Sequence, residues 1–352
     1  MPLKLAPPPP IVPETMLALL AVTTEFAAAK PWLDMADSDV VGLADPVTGE
    51  TRLACILGNA REVFGVAIYR RQTGVRWLIN ALNGDADCSD LDNAALVDAL
   101  KIELVPKREM HKEELSRLKA LDFRPAGKGL VWPQFQSVQP GWLPWFIDQA
   151  EAEQLLADAP RLTSFATLFR LHPDLFDNHP PGEFPFLPNP MPDRPLQLED
   201  LDWRPIIPQP GVFDSFKASA EQLNQLHALK RDARAAYEYG SRVVSGSSVL
   251  VDGRRSYSRV SLLVENRRGL VLGFDLSLAS HPFEETVGAG LVKTLLASGA
   301  LPKTLFIDDK KLEPILVPLC KQLNIELLLS KKLPGLADAQ ASLSGYMQSG
   351  PL

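Results

Sequence analysis

Eleven of the 38 residues between Pro173 and Pro210 are proline. Proline lacks a backbone N–H and fixes φ near about −65°, so such a run is incompatible with a regular helix or a central strand. The segment is therefore predicted to be a semi-rigid, extended connector. The whole chain has 352 residues, which is more than one hydrophobic core usually organises, so a connector here predicts two domains.

The predicted domain map has four parts. A proline-rich tail covers residues 1–13, an N-terminal α+β domain covers 14–172, and the connector covers 173–210. A C-terminal domain of mixed α/β structure covers 211–352. The predicted fold class is α+β, with a small mixed sheet and packed helices in each domain.

The N-terminal domain has clear local signals. Apolar residues at helical spacing predict a helix over 14–29, which Pro31 ends. Asp148, with Glu151 three residues later, has the spacing of a capping box and predicts another helix start. Short β-like runs predict strands at 40–43, 53–57 and 63–69.

The C-terminal domain is predicted to begin with a long helix, capped by Asp214 or Ser215 and ending near Gly240. Two β-rich runs then form a hairpin with Gly269 in its turn. The following pattern alternates helix and strand, which completes the order β-β-α-β-α-β with the last two strands parallel. The predicted segments are 259–264, 270–276, 283–298, 304–307, 312–323 and 325–329.

Charge and cysteine content restrict the partners and the compartment. The net charge of −7 and the pI near 5.4 argue against nucleic acid and anionic lipid as partners. No stretch of the sequence is predicted to reach the roughly 18 apolar residues that a membrane span needs, so no membrane contact is predicted. Cys55, Cys88 and Cys320 are far apart and have no CxxC spacing, which predicts reduced thiols and a cytoplasmic location.

Metal and cofactor motifs are absent from the sequence. The five histidines never occur at the i, i+4 spacing of a zinc-binding helix, and none pairs locally with a cysteine. Gly127-Lys128-Gly129 lacks the other residues of a phosphate-binding loop. We therefore predict no metal site and no cofactor.

The segment from Trp132 to Phe146 interleaves aromatic rings with prolines and a glycine. Prolines stiffen a loop and tryptophans offer a large contact area, so Trp132, Trp142 and Trp145 are candidate residues for binding a peptide or ligand. The alternative is that these rings fill the core of the N-terminal domain, because tryptophan is more often packed than displayed.

The strand and helix order of the C-terminal domain looks like part of a ribonuclease-H-like fold, in which carboxylates on neighbouring strands hold two divalent metals. Glu265, Asp275 and Asp308 are the candidate catalytic carboxylates on this interpretation. Against it, the first strand carries no central aspartate and Glu265 lies at the turn. The alternative is that all three are solvated carboxylates at turns.

Several short motifs carry a family resemblance. In the N-terminal half they are Lys30-Pro31-Trp32, the segments 45–50 and 62–69, and 140–146. In the C-terminal half they are Leu301-Pro302-Lys303 and Leu333-Pro334-Gly335-Leu336. These motifs resemble an uncharacterised bacterial two-domain family, whose N-terminal and C-terminal domains of unknown function occur together. The resemblance implies the same domain map and brings no catalytic residue to the chain.

The sequence favours a non-catalytic binding or interaction protein of the bacterial cytoplasm, with a protein or peptide as its partner. No catalytic constellation is recognisable, and this is the observation behind that preference. The alternative is a metal-dependent nuclease with a ribonuclease-H-like C-terminal domain. Whether the protein is an enzyme stays open at this point.

Overall fold

The computed structural model describes residues 5–45, 48–85, 90–125, 131–207 and 213–349. The chain divides into two compact units. The first consists of Met1–Cys88, Leu96–Gln139 and Pro144–Gln209, and the second of Ser89–Ala95, Pro140–Leu143 and Pro210–Leu352. Each unit contains one sheet with helices, so the predicted α+β class with two domains is confirmed.

Helices and strands are numbered along the chain through both units. The helices are α1 (Pro13–Ala29), α2 (Arg71–Leu82), α3 (Leu91–Ala94), α4 (Lys112–Ala120), α5 (Gln149–Leu171), α6 (Ala220–His227), α7 (Phe283–Ser298), α8 (Leu312–Gln322) and α9 (Pro334–Ser349). The strands of the first unit are β1 (Val41–Ala44), β2 (Thr51–Leu57), β3 (Phe64–Tyr69), β4 (Ala99–Pro106), β5 (Val131–Val138), β6 (Trp145–Phe146), β7 (Glu183–Phe186) and β8 (Asp202–Pro205). Those of the second unit are β9 (Lys230–Val251), β10 (Arg254–Glu265), β11 (Val271–Leu278), β12 (Ala300–Ile307) and β13 (Glu326–Leu329).

The sheet of the first unit has the order β6-β5-β4-β3-β2-β1-β7-β8. Its neighbouring strands are antiparallel except β1 and β7, which run parallel. Helices α1 and α5 pack together, and their apolar side chains join those of the sheet in one core. The predicted capping box is present, because the Asp148 side chain accepts from Glu151 and the Glu151 side chain accepts from the Asp148 backbone.

A buried ion network ties α5 to β2. Asp158 on α5 is fully buried and accepts hydrogen bonds from Arg52 at 3.0 Å and from Arg161 at 3.1 Å. Arg161 also donates to the backbone carbonyl of Leu187 at 3.0 Å. Because buried charges need partners, this network fixes where α5 lies on the sheet.

Helix α1 and the turn after it have an unusually apolar composition. The 21 residues Pro13–Leu33 contain an 18-residue window with a mean hydropathy of 1.2, which would suit a membrane crossing by length and composition. By length and composition, this window contradicts the prediction that no stretch of the chain is long and apolar enough to span a membrane. A core helix passes the same test, and Met16, Leu19 and Phe26 are buried in the core of the unit, so the helix is weak evidence for a membrane span.

The predicted connector is a part of the first unit, and this corrects the domain map. Strand β7 lies between β1 and β8, with Phe186 beside Gly42 and Pro185 opposite Trp203. Phe184 and Phe186 are buried, so burial of the apolar residues between the prolines holds the segment in the sheet. The missing proline N–H groups favour a connector, whereas the apolar residues between the prolines favour a buried strand, and only the first of these features entered the prediction.

The sheet of the second unit has the order β11-β10-β9-β12-β13. Strands β9, β10 and β11 are antiparallel neighbours, while β12 runs parallel to both β9 and β13. The predicted hairpin with Gly269 in its turn is confirmed as β10 and β11. The parallel pair at the end of the chain is confirmed as β12 and β13.

The predicted helix ending near Gly240 is wrong over most of its length. Helix α6 ends at His227, and β9 then runs for 22 residues from Lys230 to Val251. Strand β9 pairs with β10 on one side and β12 on the other. Its central place in the sheet outweighs the local helix preference of its first residues. The order is therefore β-β-β-α-β-α-β-α after α6.

Candidate functional site

Strand β11 forms one edge of the second sheet and displays large apolar side chains. Phe274 is 69% exposed and Leu276 is 48% exposed, and Leu270 and Val271 beside them are also exposed. Isolated exposed apolar residues are ordinary, but a row of them on an edge strand marks an interaction site. We call these four residues and the free edge of the strand the β11 surface.

The turn before β11 is built tightly. The Glu265 backbone N–H donates to Leu270 at 2.8 Å, and its side chain accepts from the backbone N–H of Arg268 at 2.7 Å. Gly269 has φ of +66°, which glycine adopts at little cost. The register shifts between Leu263 and Val264, and beyond this irregularity Leu262 faces Phe274 and Val260 faces Leu276.

Helix α9 explains why only part of this sheet face is covered. Leu333 and Leu336, at the start of α9, pack with Val260 and Leu262 of β10 and are buried. The Leu336 backbone N–H donates to Glu238 of β9 at 2.7 Å, which anchors the helix over β9. The helix covers β9 and β10. Leu276 and Phe274 of β11, which face Val260 and Leu262, therefore remain exposed to solvent.

Charge at the β11 surface is uneven. Arg267 and Arg268 in the turn are exposed, and neither forms an ion pair with an acidic side chain in the part of the chain that the structure describes. Asp275 on β11 is already paired with Lys293 of α7 at 2.9 Å. The turn end of the strand therefore carries positive charge beside the apolar row.

A short segment of the same unit already contacts this sheet through an isolated β-bridge. In the segment Pro140–Leu143, Trp142 bridges to Ser256 of β10, and the Leu143 N–H donates to Arg255 at 3.0 Å. Tyr257 donates to the Gly141 carbonyl at 2.9 Å. The edge of β10 beyond the end of β11 thus exchanges backbone hydrogen bonds with a second segment of the chain.

The three candidate tryptophans have different environments. Trp132 belongs to β5 and is buried, with Phe123 against its ring, so for this residue the core interpretation is correct and the binding prediction is wrong. Trp145 forms β6 and is partly buried beside Phe146. Trp142 is partly buried in the second unit, where the Arg254 guanidinium lies 4.9 Å from its ring centre.

The three candidate carboxylates lie at separate places on the sheet. Asp275 faces Ser261 of β10, and Asp308 follows the end of β12, two strands further on. Three strand spacings of about 4.8 Å separate Asp275 from Asp308 by about 14 Å. Glu265 lies at the far end of β10, where it holds the turn. The geometry does not bring these residues to a common metal site.

Asp308 and Asp309 instead belong to an ion cluster around two arginines. Arg242 of β9 contacts Asp308 at 3.0 Å and Asp309 at 3.3 Å. Arg259 of β10 pairs with Asp92 of α3 at 3.0 Å. Burial raises the pKa of Asp92, and the arginines oppose this shift. The cluster joins α3 to the middle of β9 and β10 and to the end of β12, and each of its carboxylates has an arginine partner.

The described ranges contain no group of three or more His, Cys, Asp or Glu placed to hold a metal ion. Cys55 and Cys320 are free and buried, and burial raises the pKa of both thiols to about 12. Thiols with such a pKa are not nucleophilic at neutral pH. Cys88 lies outside the described residues.

Sequence reasoning identified β11 as a strand but missed its exposure. The run Leu272–Leu278 alternates large apolar residues with glycine, aspartate and serine. This period of two is typical of a strand that buries its apolar face, so the sequence predicts that Phe274 is covered. Only the strand order and the reach of α9 leave Phe274 uncovered.

By its architecture the chain is a two-domain α+β protein. Residues 17–186 match the family model described as a domain of unknown function, DUF7309. Residues 222–344 match the model of a second domain of unknown function, DUF6930. The chain therefore carries one domain of each of these families, as the resemblance of the motifs implied. No curated protein matches the sequence.

Proposed function

We propose that this protein is a non-catalytic binding protein that holds an extended segment of a partner protein along β11. One observation carries the proposal: a free edge strand presents Phe274 and Leu276 to solvent on one face. An added strand would pair its backbone with β11 and place alternate side chains beside these two. The pairing of Pro140–Leu143 with β10 supports this mode of binding.

Charge complementarity defines the partner more closely. Arg267 and Arg268 are exposed at the turn end of β11, where acidic residues of a bound segment would meet them. The partner segment is therefore apolar at alternate positions and acidic at one end. A protein partner also agrees with the net charge of −7, which disfavours nucleic acid and anionic lipid.

The proposed place of action is the bacterial cytoplasm. The free state of Cys55 and Cys320 supports a reducing compartment, because thiols exported from the cytoplasm usually meet oxidising conditions. Fractionation of cells that produce the tagged chain tests this part of the proposal. Recovery of the chain in the membrane or exported fraction would contradict it.

The binding proposal is tested with random peptides displayed on phage and selected against the full chain. We expect the selected peptides to alternate apolar residues and to contain acidic residues at one end. Their affinity should fall at least about tenfold for the double variant Phe274→Ser/Leu276→Ser, since each truncated side chain loses buried apolar contact. The matched control is Leu171→Ser/Leu198→Ser, which removes two exposed leucines of the first unit.

Equal peptide binding by the β11 variant and the native chain would overturn the proposal, as would a selection without binders. Light scattering at several protein concentrations gives a further outcome. A dimer that the β11 substitutions dissociate would mean that a second copy of the chain, rather than a peptide, occupies the edge.

The alternative is a metal-dependent nuclease. The second sheet has the order β11-β10-β9-β12-β13, and β10 is antiparallel to both of its neighbours. Asp308 and Asp309 follow the end of β12. This arrangement supports the nuclease. The pairing of both carboxylates with Arg242 argues against it. Cleavage of DNA or RNA in Mg²⁺ or Mn²⁺ that Asp308→Asn removes would favour the nuclease over the binding protein.

A further inference from the structure

The first unit contains a cavity of about 440 Å³ that the proposed peptide binding does not use. This volume lies within the usual range for small-molecule sites. Its lining combines apolar and aromatic side chains with two cations. The lining includes Lys30, Trp32, Gly58, Arg61 and Phe64.

Aromatic rings form one wall of this cavity. The Trp32 ring lies 5.2 Å from that of Phe64 and 6.0 Å from that of Phe26, centre to centre. Gly58, at φ of +135°, allows the two lining rings to approach. A Cβ atom there would lie 2.7 Å from Phe64 and 2.8 Å from Trp32. The wall is thus a packed and defined surface for a flat apolar group.

Positive charge is concentrated at the same cavity. Lys30 and Arg61 are both exposed, none of the lining residues is acidic, and neither cation has an acidic ion-pair partner within the described ranges. Both residues have left-handed backbone conformations, with φ of +49° and +62°. These conformations are costly for residues other than glycine, and they place two cations beside the aromatic wall. The cavity is a local positive site on an acidic chain.

A second cavity in the same unit provides a contrast. It has a volume of about 630 Å³ and includes Glu50 and Arg71 in its lining. The Arg71 guanidinium is already paired with Asp98 at 2.7 Å, and Glu50 adds a negative charge. This cavity therefore has no unpaired cation to attract an anion.

We propose that the smaller cavity binds an organic anion with an aromatic body. The flat ring lies against Trp32 and Phe64, and the anionic group contacts Lys30 and Arg61. Charge-assisted hydrogen bonds from an ammonium and a guanidinium suit either a carboxylate or a phosphate. The apolar wall and the cations together select an anion that also carries a ring.

Calorimetry with three probes of similar shape tests this site on the full chain. The probes are 2-naphthoate, 2-naphthyl phosphate and the neutral 2-naphthamide. We expect at least one anion to bind and the amide to bind at least about tenfold more weakly, because the amide lacks the charge. The preferred anion identifies the group that the cations recognise.

Substitutions locate the binding site. The double variant Lys30→Gln/Arg61→Gln should bind the preferred anion at least about tenfold more weakly than the native chain does. The conservative Arg61→Lys should keep the affinity within a few-fold of the native value. The control Lys303→Gln/Arg234→Gln removes two exposed cations of the second unit and should leave the affinity unchanged. Circular dichroism verifies that each variant is folded.

Three results would overturn the proposal: no anion binding at about millimolar concentration, equal affinity for the amide, or unchanged binding by the Lys30 and Arg61 variant. Peptide binding at β11 is measured separately with the Phe274 and Leu276 variant. Each proposal can therefore fail without the other.

Discussion

Glu114 on α4 has only 1% of its surface exposed. Its Oε1 accepts a hydrogen bond from the Phe135 backbone N–H at 3.1 Å, and no partner for Oε2 occurs among the described residues. Strand β6 pairs only with residues 136 and 137 of β5, so the carboxyl group binds β5 where β6 does not reach. Burial raises the pKa of Glu114 to about 7.

This raised pKa predicts how stability depends on pH. Below about pH 4.5 the Glu114 carboxyl group is protonated in both the folded and the unfolded state, so its burial does not lower the free energy of unfolding. Above pH 7 the group is ionised in the unfolded state, so folding has to bury a negative charge. Glu114→Gln should therefore raise the free energy of unfolding by about 1–3 kcal/mol at pH 8 and change it little near pH 4.5. Urea unfolding at the two pH values measures the difference.

The neighbouring exposed Glu113 supplies the matched control. Glu113→Gln removes the same charge from the same helix without a buried carboxyl group, so its effect should stay below about 0.5 kcal/mol at both pH values. If Glu114→Gln gives the same difference from the native protein at pH 8 and pH 4.5, the carboxyl group does not titrate in the assumed range.

Side chains that need distant partners were the hardest to assign from sequence. Asp158 and Arg161 are neighbours on one helix face, yet their partner Arg52 is more than a hundred residues away in the chain. Their burial could not be predicted, because charged residues at this spacing are usually solvated. Trp132 is a further buried side chain that was a candidate for the surface, and its burial follows from its place in β5.

At the scale of elements, two glycines set how closely α7 packs. A Cβ on Gly290 would lie 2.3 Å from the Ser261 hydroxyl, and one on Gly288 would lie 1.9 Å from the Phe216 ring. Beneath the helix, the Tyr239 hydroxyl donates to the Val287 carbonyl at 2.7 Å.

Gly290→Ala should destabilise the second unit by about 1–2 kcal/mol. Alanine gains up to about 1 kcal/mol of helix propensity, but an overpacked interface costs about 1–3 kcal/mol. Urea unfolding followed by circular dichroism measures the change. Gly345→Ala in α9 is the control, because nothing lies within 4 Å of its Cβ. A stabilised Gly290→Ala protein would show that the helix can move away without cost.

Elements defined by local signals were predicted well. Helix α5 begins at its capping box and the β10–β11 hairpin turns at Gly269, since both signals act within a few residues. The first half of β9, up to about Gly240, was predicted as part of a helix because its residues favour that structure locally. Its pairing with β12, about seventy residues later, is what makes it a strand.

At the scale of the whole molecule, the first unit needs the proline-rich segment. Phe184, Phe186 and Leu187 are buried in its cores, as are Leu196 and Leu201. Burial of such side chains contributes about 1.5–3 kcal/mol each, and five of them rival the net stability of a whole domain. Residues 1–209 should therefore unfold cooperatively in urea, whereas residues 1–172 should not. Equal transitions for the two fragments would restore the connector interpretation.

The sequence by itself determined the fold class, the presence of two domains, the main helices of the first unit and the final hairpin and parallel strands. These features depend on periodicity and turn chemistry, which act between near neighbours. The tertiary structure decided that β7 joins the first sheet, that β9 is a strand, and that β11 is an open edge. Each of these depends on which distant strands pair and on how far a helix reaches over them, and no local pattern encodes that information.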